Sequence, residues 1–202
     1  MTGAQVARPL GVSADVAWWE DRTVHGVIAV LAFATMTALG AYVRIPLPWT
    51  PVPVTLQTFF VLLAGATLGP ALGATSQILY LTVGVAGAPV FAGGMGGISL
   101  LLSGPTSGYL MGFVLATAST GWLVRRRAEA GILWIICSMT VGTLVVYACG
   151  TAWLAWNLQL PLTSALAQGV FPFVPGDAVK LLAAAGLVRA SRRGDRRLIP
   201  QR

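Results

Sequence analysis

The chain has 202 residues, 56% of them hydrophobic and only 9% charged. Soluble domains carry about 25% charged residues, so this composition excludes an ordinary soluble domain. It points to a single-domain integral membrane protein. The net charge of +7 invites a nucleic-acid reading, but three of the 13 basic residues are Arg125, Arg126 and Arg127 and six lie between 189 and 202. Basic clusters flanking apolar runs orient a protein against an anionic inner leaflet and exclude the nucleic-acid class here.

Residues 1–23 hold Asp15, Glu20 and Asp21 and lack the basic and short apolar regions of a cleavable signal peptide. Trp18–Trp19 read as an interfacial anchor ahead of the first span. The first helix is expected over 24–42, VHGVIAVLAFATMTALGAY. It stops before IPLPWTPVP, whose four prolines cannot continue a helix. Segment 54–68 is the second helix and is short for a span of about 20 residues. Gly69–Pro70 makes a tight turn into the third, 70–87. The stretch APVFAGGMGGISLLLSGP is too irregular for lipid contact, so it must be covered by protein or line a cavity. The fourth span covers 106–124 and ends at the triple arginine. The fifth covers 131–156. A linker with room for one short helix leads to the sixth, 175–190. The expected architecture is an all-α bundle of six transmembrane helices over 24–190, with a basic tail over 191–202.

Six spans put both ends on one side. The 4–5 loop and the tail then share that side, while the 1–2, 3–4 and 5–6 loops carry only Arg44. The positive-inside rule places both termini in the cytoplasm. The three long Pro- and Gly-rich loops, and the start of the sixth helix, fall on the outer face.

Between Thr23 and Val188, outside RRRAE, only Arg44, Asp177 and Lys180 are charged. A central charge costs about 2.5–3.5 kcal/mol on insertion scales, so such residues are rarely idle. At spacing i and i+3, Asp177 and Lys180 share a helical face. Pro175–Gly176 suit a helix start and put Asp177 in the first turn, where the helix dipole favours an anion. Two readings stand: a structural ion pair, or a polar ligand site in which Asp177 accepts and Lys180 donates. Trp49, Phe91 and Tyr109 are candidate walls of such a site, or ordinary packing and interfacial residues.

Gly93, Gly94, Met95, Gly96 and Gly97 do not form a P-loop, having no GxxxxGK[ST] pattern. They suit either close backbone approach to a ligand or a flexible loop. No GxSxG or HExxH occurs, and Cys137 and Cys149 lie at no metal spacing, so nothing supports catalysis, a metal or a cofactor. His25 reads as interfacial. Small residues recur at spacing four in Ala34/Ala38, Gly65/Gly69 and Gly69/Gly73, which permits close helix approach within the chain or to a partner.

Taken together and in order, IPLPWTPVPVTLQTFFVLLAGATLG, GAPVFAGGMGG, LSGPTSGYLMGF and FVPGDAVKLLAA resemble the BioY family of biotin transporters, from about residue 27 to 190. The resemblance implies a substrate-binding S component of an energy-coupling factor transporter in the bacterial cell membrane. It implies six helices and a biotin site near the outer face. It also implies partnership with a transmembrane coupling protein and two cytoplasmic ATPase subunits. In the family the sixth-helix Asp and Lys contact the biotin head group, which maps to Asp177 and Lys180. The glycine-rich loop also contributes, which maps to Gly93 to Gly97. Met95 stands where relatives can carry a polar residue, leaving backbone groups for that contact. An AxxxA pattern serves docking to the coupling protein and maps to Ala34 and Ala38. Arg44 is expected to pair with the biotin carboxylate; Lys180 doing so is the competing pose. Two other classes remain as rivals: a self-sufficient proton carrier using Asp177, and a lipid-active membrane enzyme, for which no partnered nucleophile is visible.

Overall fold

A computed structural model describes residues 22–127 and 131–198, with the side chains of 22 and 193–198 left aside. The Trp18–Trp19 anchor and the end of the tail lie outside the described residues. Among the described residues, eight helices and one two-stranded hairpin follow in order. Helix α1 covers Arg22–Tyr42. The proline-rich segment after it folds into a hairpin, β1 (Arg44–Ile45) against β2 (Val54–Thr55), antiparallel with Arg44 opposite Thr55. Helices α2 (Gln57–Leu68) and α3 (Pro70–Val85) come next, then the short α4 (Ile98–Ser103). The long α5 (Ser107–Arg126) and α6 (Ile132–Asn157) form the closest-packed pair, followed by α7 (Leu162–Gly169) and α8 (Val174–Leu198).

The helix boundaries follow local chemistry. Proline spacing ends α1, because each ring removes an N–H from the ladder. Gly69 joins α2 to α3 at φ +82°, and a Cβ there would stand 2.1 Å from the Arg125 guanidinium. Only glycine meets both demands. Pro70 then opens α3 at a position whose N–H needs no intrahelical partner. The close approaches at Gly65 and Gly73 are internal, since both face Thr117 of α5.

Among the described residues, three helices are long and apolar enough to cross a membrane: Thr23–Tyr42, Ser107–Arg126 and Ile132–Asn157. A fourth appears if α7 and α8, bent by 51°, count as one span. Length and composition alone thus identify three or four of the six expected crossings among the described residues. Helix α2, with 12 residues, is about 18 Å long and α3, with 16, about 24 Å. Both fall short of a hydrocarbon layer of about 30 Å. Helix α8 runs unbroken from Val174 to Leu198, so the expected basic tail starts as a continuation of the last helix.

Two apolar clusters fill the bundle. One, near the loops, holds Tyr80, Phe91, Tyr109, Phe113, Val146, Tyr147 and Phe173. The other, toward the arginine turn, holds Leu62, Val124, Ile135, Met139, Leu181 and Val188. The buried Thr151 hydroxyl has no partner among the described residues, whereas several buried hydroxyls are satisfied within their own helix: Thr37 donates to the Phe33 carbonyl at 2.8 Å and Thr117 to that of Phe113 at 2.7 Å. An apolar medium demands this, since no water is there to pair them. Large side chains such as Leu115, Leu144 and Val179 point outward. That exterior suits lipid rather than water.

Candidate functional site

Asp177 and Lys180 sit where the sequence places them, in the first turns of α8. The Asp177 amide donates to the Phe173 carbonyl at 2.8 Å, which starts the helix. The two side chains form a salt bridge, Lys180 Nζ to Asp177 Oδ1, at 2.7 Å. Asp177 is buried, and the Lys180 side chain is only 14% exposed.

The pair is embedded in a wider network. Thr58 Oγ1 donates to Asp177 Oδ1 at 2.9 Å. The Tyr147 hydroxyl donates to Asp177 Oδ2 at 2.7 Å. Lys180 Nζ also donates to the Thr55 carbonyl at 2.5 Å and to Thr58 Oγ1 at 3.3 Å. Net, a hydrogen bond to a charged group contributes about 1.5–3 kcal/mol. Asp177 accepts three, which together exceed the cost of one buried charge, about 2.5–3.5 kcal/mol. The Asp177 charge is therefore offset within the resting fold without a ligand, and the Lys180 charge is met by the Thr55 carbonyl and by Asp177 itself.

Donor and acceptor capacity show what remains for a ligand. An ammonium has three N–H donors, and all three of Lys180 are in use. Its contact to Thr58 is the longest and the easiest to exchange. Asp177 Oδ2 accepts only from Tyr147 and keeps acceptor capacity. Both side chains face a cavity of about 160 Å³ whose walls include Phe91, Tyr109, Phe113, Val146, Tyr147 and Phe173. An apolar cavity with a few fixed polar groups at one side is the usual form of a small-molecule site.

The predicted residues divide clearly. Asp177, Lys180, Arg44, Phe91, Met95 and Tyr109 line the cavity. Tyr109 is anchored by donating to the Gly169 carbonyl at 2.7 Å. Phe91 packs edge-to-face on Tyr80 with ring centroids 5.6 Å apart. Arg44, exposed on β1, has no carboxylate partner among the described residues. Met95 pairs with Phe91 across the glycine-rich turn through the Met95 carbonyl and the Phe91 amide, at 2.9 Å.

Gly93, Gly94, Gly96 and Gly97 shape that turn rather than line the cavity, and Gly93, Gly94 and Gly97 have positive φ. Gly93 touches the Arg44 guanidinium: a Cβ there would lie 2.7 Å from Nη1. Tyr42 ties the same two loops together by donating to the Pro89 carbonyl at 2.5 Å.

One expectation needs correction. Trp49 is 60% exposed at the hairpin loop and forms no wall of the cavity; the prolines that end α1 carry it outward. Ala34 is buried against the core and Ala38 packs on the same cluster, so the chain's own helices cover this small-residue face in the present conformation. Sequence reading missed Tyr147, Thr58 and the Thr55 carbonyl. Tyr147 left one usable signal, a lone phenol in the apolar run 131–156, which needs a partner when buried.

Comparison with known proteins identifies the family. The sequence model of the BioY family matches residues 13–197. The chain is 40% identical over 166 residues to a probable biotin transporter BioY of Pyrococcus horikoshii, covering 82% of this chain and 94% of that one. It is 36% identical over 171 residues to the biotin transporter BioY of Rhizobium etli, covering 81% and 90%. Its structure resembles the crystal structure of the S-component for biotin from an ECF-type ABC transporter, with TM-score 0.79 and 25% identity over 85% of this chain and 93% of that one. A second S component of a bacterial ECF transporter shares the fold alone, at TM-score 0.52 and 15% identity, covering 89% of this chain and 100% of that one. With residues 13–197 matched by the family model, the chain belongs to the BioY family.

Proposed function

We propose that this chain is the biotin-binding S component of an energy-coupling factor transporter, capturing external biotin for import. The observation that carries the reading is the Asp177–Lys180 pair, held by Thr58 and Tyr147 on the wall of an otherwise apolar cavity. Biotin presents two ureido N–H donors, one carbonyl acceptor, an apolar thioether ring and chain, and a carboxylate. In the proposed pose a ureido N–H donates to Asp177 Oδ2. The ureido oxygen takes the Lys180 N–H that now reaches Thr58 at 3.3 Å. Arg44 meets the carboxylate, because its guanidinium lines the cavity without a carboxylate partner among the described residues while Lys180 is fully engaged.

Six crossings with both termini in the cytoplasm accompany this function. The short α2 and α3 complete two of them through local thinning of the bilayer, a modest cost per ångström of mismatch. The supporting signal is charge: the arginine turn after α5 and the basic end of α8 then share the inner face, and the cavity loops share the outer one. A transmembrane coupling protein and two cytoplasmic ATPase subunits, in the bacterial plasma membrane, supply energy for reorientation and release.

Two assays test the proposal. Biotin methyl ester lacks the carboxylate charge. Arg44→Gln is expected to lose affinity for biotin while leaving the ester unchanged; if Lys180→Ala, and not Arg44→Gln, removes the preference for free biotin, the pose is wrong. Uptake into vesicles of purified protein is expected to require the ATPase partners. Uptake without them that collapses with a protonophore supports a proton carrier instead.

A further inference from the structure

The arginine turn between α5 and α6 contains more order than topology alone requires. Arg125 is used internally: its Nη2 donates to the Leu68 carbonyl at 2.7 Å, closing the end of α2. The next two arginines have a different arrangement. Arg126 lies over the Trp122 ring, 4.1 Å from the centroid. Arg127 lies over the Trp134 ring at 4.6 Å. Trp134 is itself fixed by donating from Nε1 to the Leu123 carbonyl at 2.8 Å. Two cations are thus pinned on indoles from two different helices.

Neither the Arg126 nor the Arg127 side chain has a hydrogen bond or carboxylate partner among the described residues, and both are exposed. A guanidinium stacked by its face on an indole still presents its N–H edge, which matches phosphate oxygens in a bidentate fork. Stacking also restricts the rotamers beforehand, so less entropy is lost on binding. The depth is set by the chain. Two apolar spans, Ser107–Arg126 and Ile132–Asn157, end and begin at this turn, which puts it at a membrane–water boundary. Trp122 and the outward-facing Leu133 supply an apolar flank below it.

We propose that Arg126 and Arg127, stacked on Trp122 and Trp134, form a binding site for the phosphate headgroup of an anionic phospholipid. Charge complementarity and depth select a lipid over a soluble phosphate: the cations sit at headgroup level with apolar surface adjoining. The site is independent of the cargo and of the cavity near the loops.

Native mass spectrometry of the full chain, released from nanodiscs of equal phosphatidylglycerol and phosphatidylcholine, tests this. The wild type is expected to retain phosphatidylglycerol in preference. Each of Arg126→Gln and Arg127→Gln should lower that preference at least about tenfold, the equivalent of one charge-assisted hydrogen bond to the phosphate. Trp122→Leu, which leaves net charge unchanged, should lower it as well, and Arg189→Gln should leave it within about twofold. Circular dichroism confirms that each variant keeps its helices. The proposal is overturned if the wild type shows no preference, or if Arg189→Gln acts as strongly as Arg126→Gln. It is also overturned if Arg126→Gln/Arg127→Gln keeps its lipid but loses co-purifying transporter subunits, which assigns the patch to protein docking.

Discussion

The Asp177–Lys180 pair allows a quantitative test by a double-mutant cycle. At 2.7 Å the gross attraction is about 6 kcal/mol for an effective dielectric of 20. Desolvation offsets much of it, because Asp177 is buried and Lys180 nearly so. What survives is an asymmetry. Removing one partner strands the other charge, which costs about 3–5 kcal/mol for a buried pair. Lys180→Met leaves Asp177 with Thr58 and Tyr147, so its cost belongs at the low end, about 3 kcal/mol. Asp177→Asn strands Lys180 with the Thr55 carbonyl and Thr58, at a similar cost. Asp177→Asn/Lys180→Met removes both charges together, so its loss should be smaller than the sum by more than about 1 kcal/mol, within the usual range for residues in direct contact. Thermal denaturation of the purified protein in one detergent, with no biotin present, reads all four corners. Losses that simply add would show that the two charges do not stabilise each other in the resting protein.

Four further outcomes follow from the same coordinates. Tyr147→Phe removes a 2.7 Å donor from Asp177 Oδ2 and should lower stability by about 1.5–3 kcal/mol, with weaker biotin binding by titration calorimetry; an unchanged melting temperature would remove Tyr147 from the network. Gly69→Ala combines a φ of +82° with a clash on Arg125 and should cost more than about 1 kcal/mol in a denaturation assay. Gly93→Ala should displace the Arg44 guanidinium and weaken biotin more than biotin methyl ester, measured by competition. Trp49→Ala, at an exposed site away from the cavity, should leave biotin affinity within about twofold in the same assay.

The parts of the site that were legible in sequence are those that break a rule. Asp177 and Lys180 stand out because charges in an apolar run are costly, and Pro175–Gly176 mark the helix start that puts them on one face. Arg44 is visible for the same reason. Tyr147 and Thr58 are ordinary residues for a membrane helix, and their role exists only because α2, α6 and α8 converge, which no local spacing encodes. Trp49 shows the reverse error. An aromatic in a loop near the site is a natural wall, yet the β1–β2 hairpin turns it outward. Spacing revealed that Ala34 and Ala38 permit close approach, but not that the approach is to the chain's own core. The helices themselves were largely readable from apolar runs bounded by proline and glycine. The hairpin and α4 were not, because two-residue strands and six-residue helices carry no periodic signal.

Titration calorimetry of the purified chain with biotin tests the central claim most directly, with desthiobiotin as a second ligand that keeps the ureido group and Asp177→Asn as the variant. The account predicts that the wild type binds both ligands and that Asp177→Asn weakens both by at least about tenfold, the equivalent of one hydrogen bond to a charged group. A wild type that binds neither, or an Asp177→Asn variant with full affinity, would contradict it.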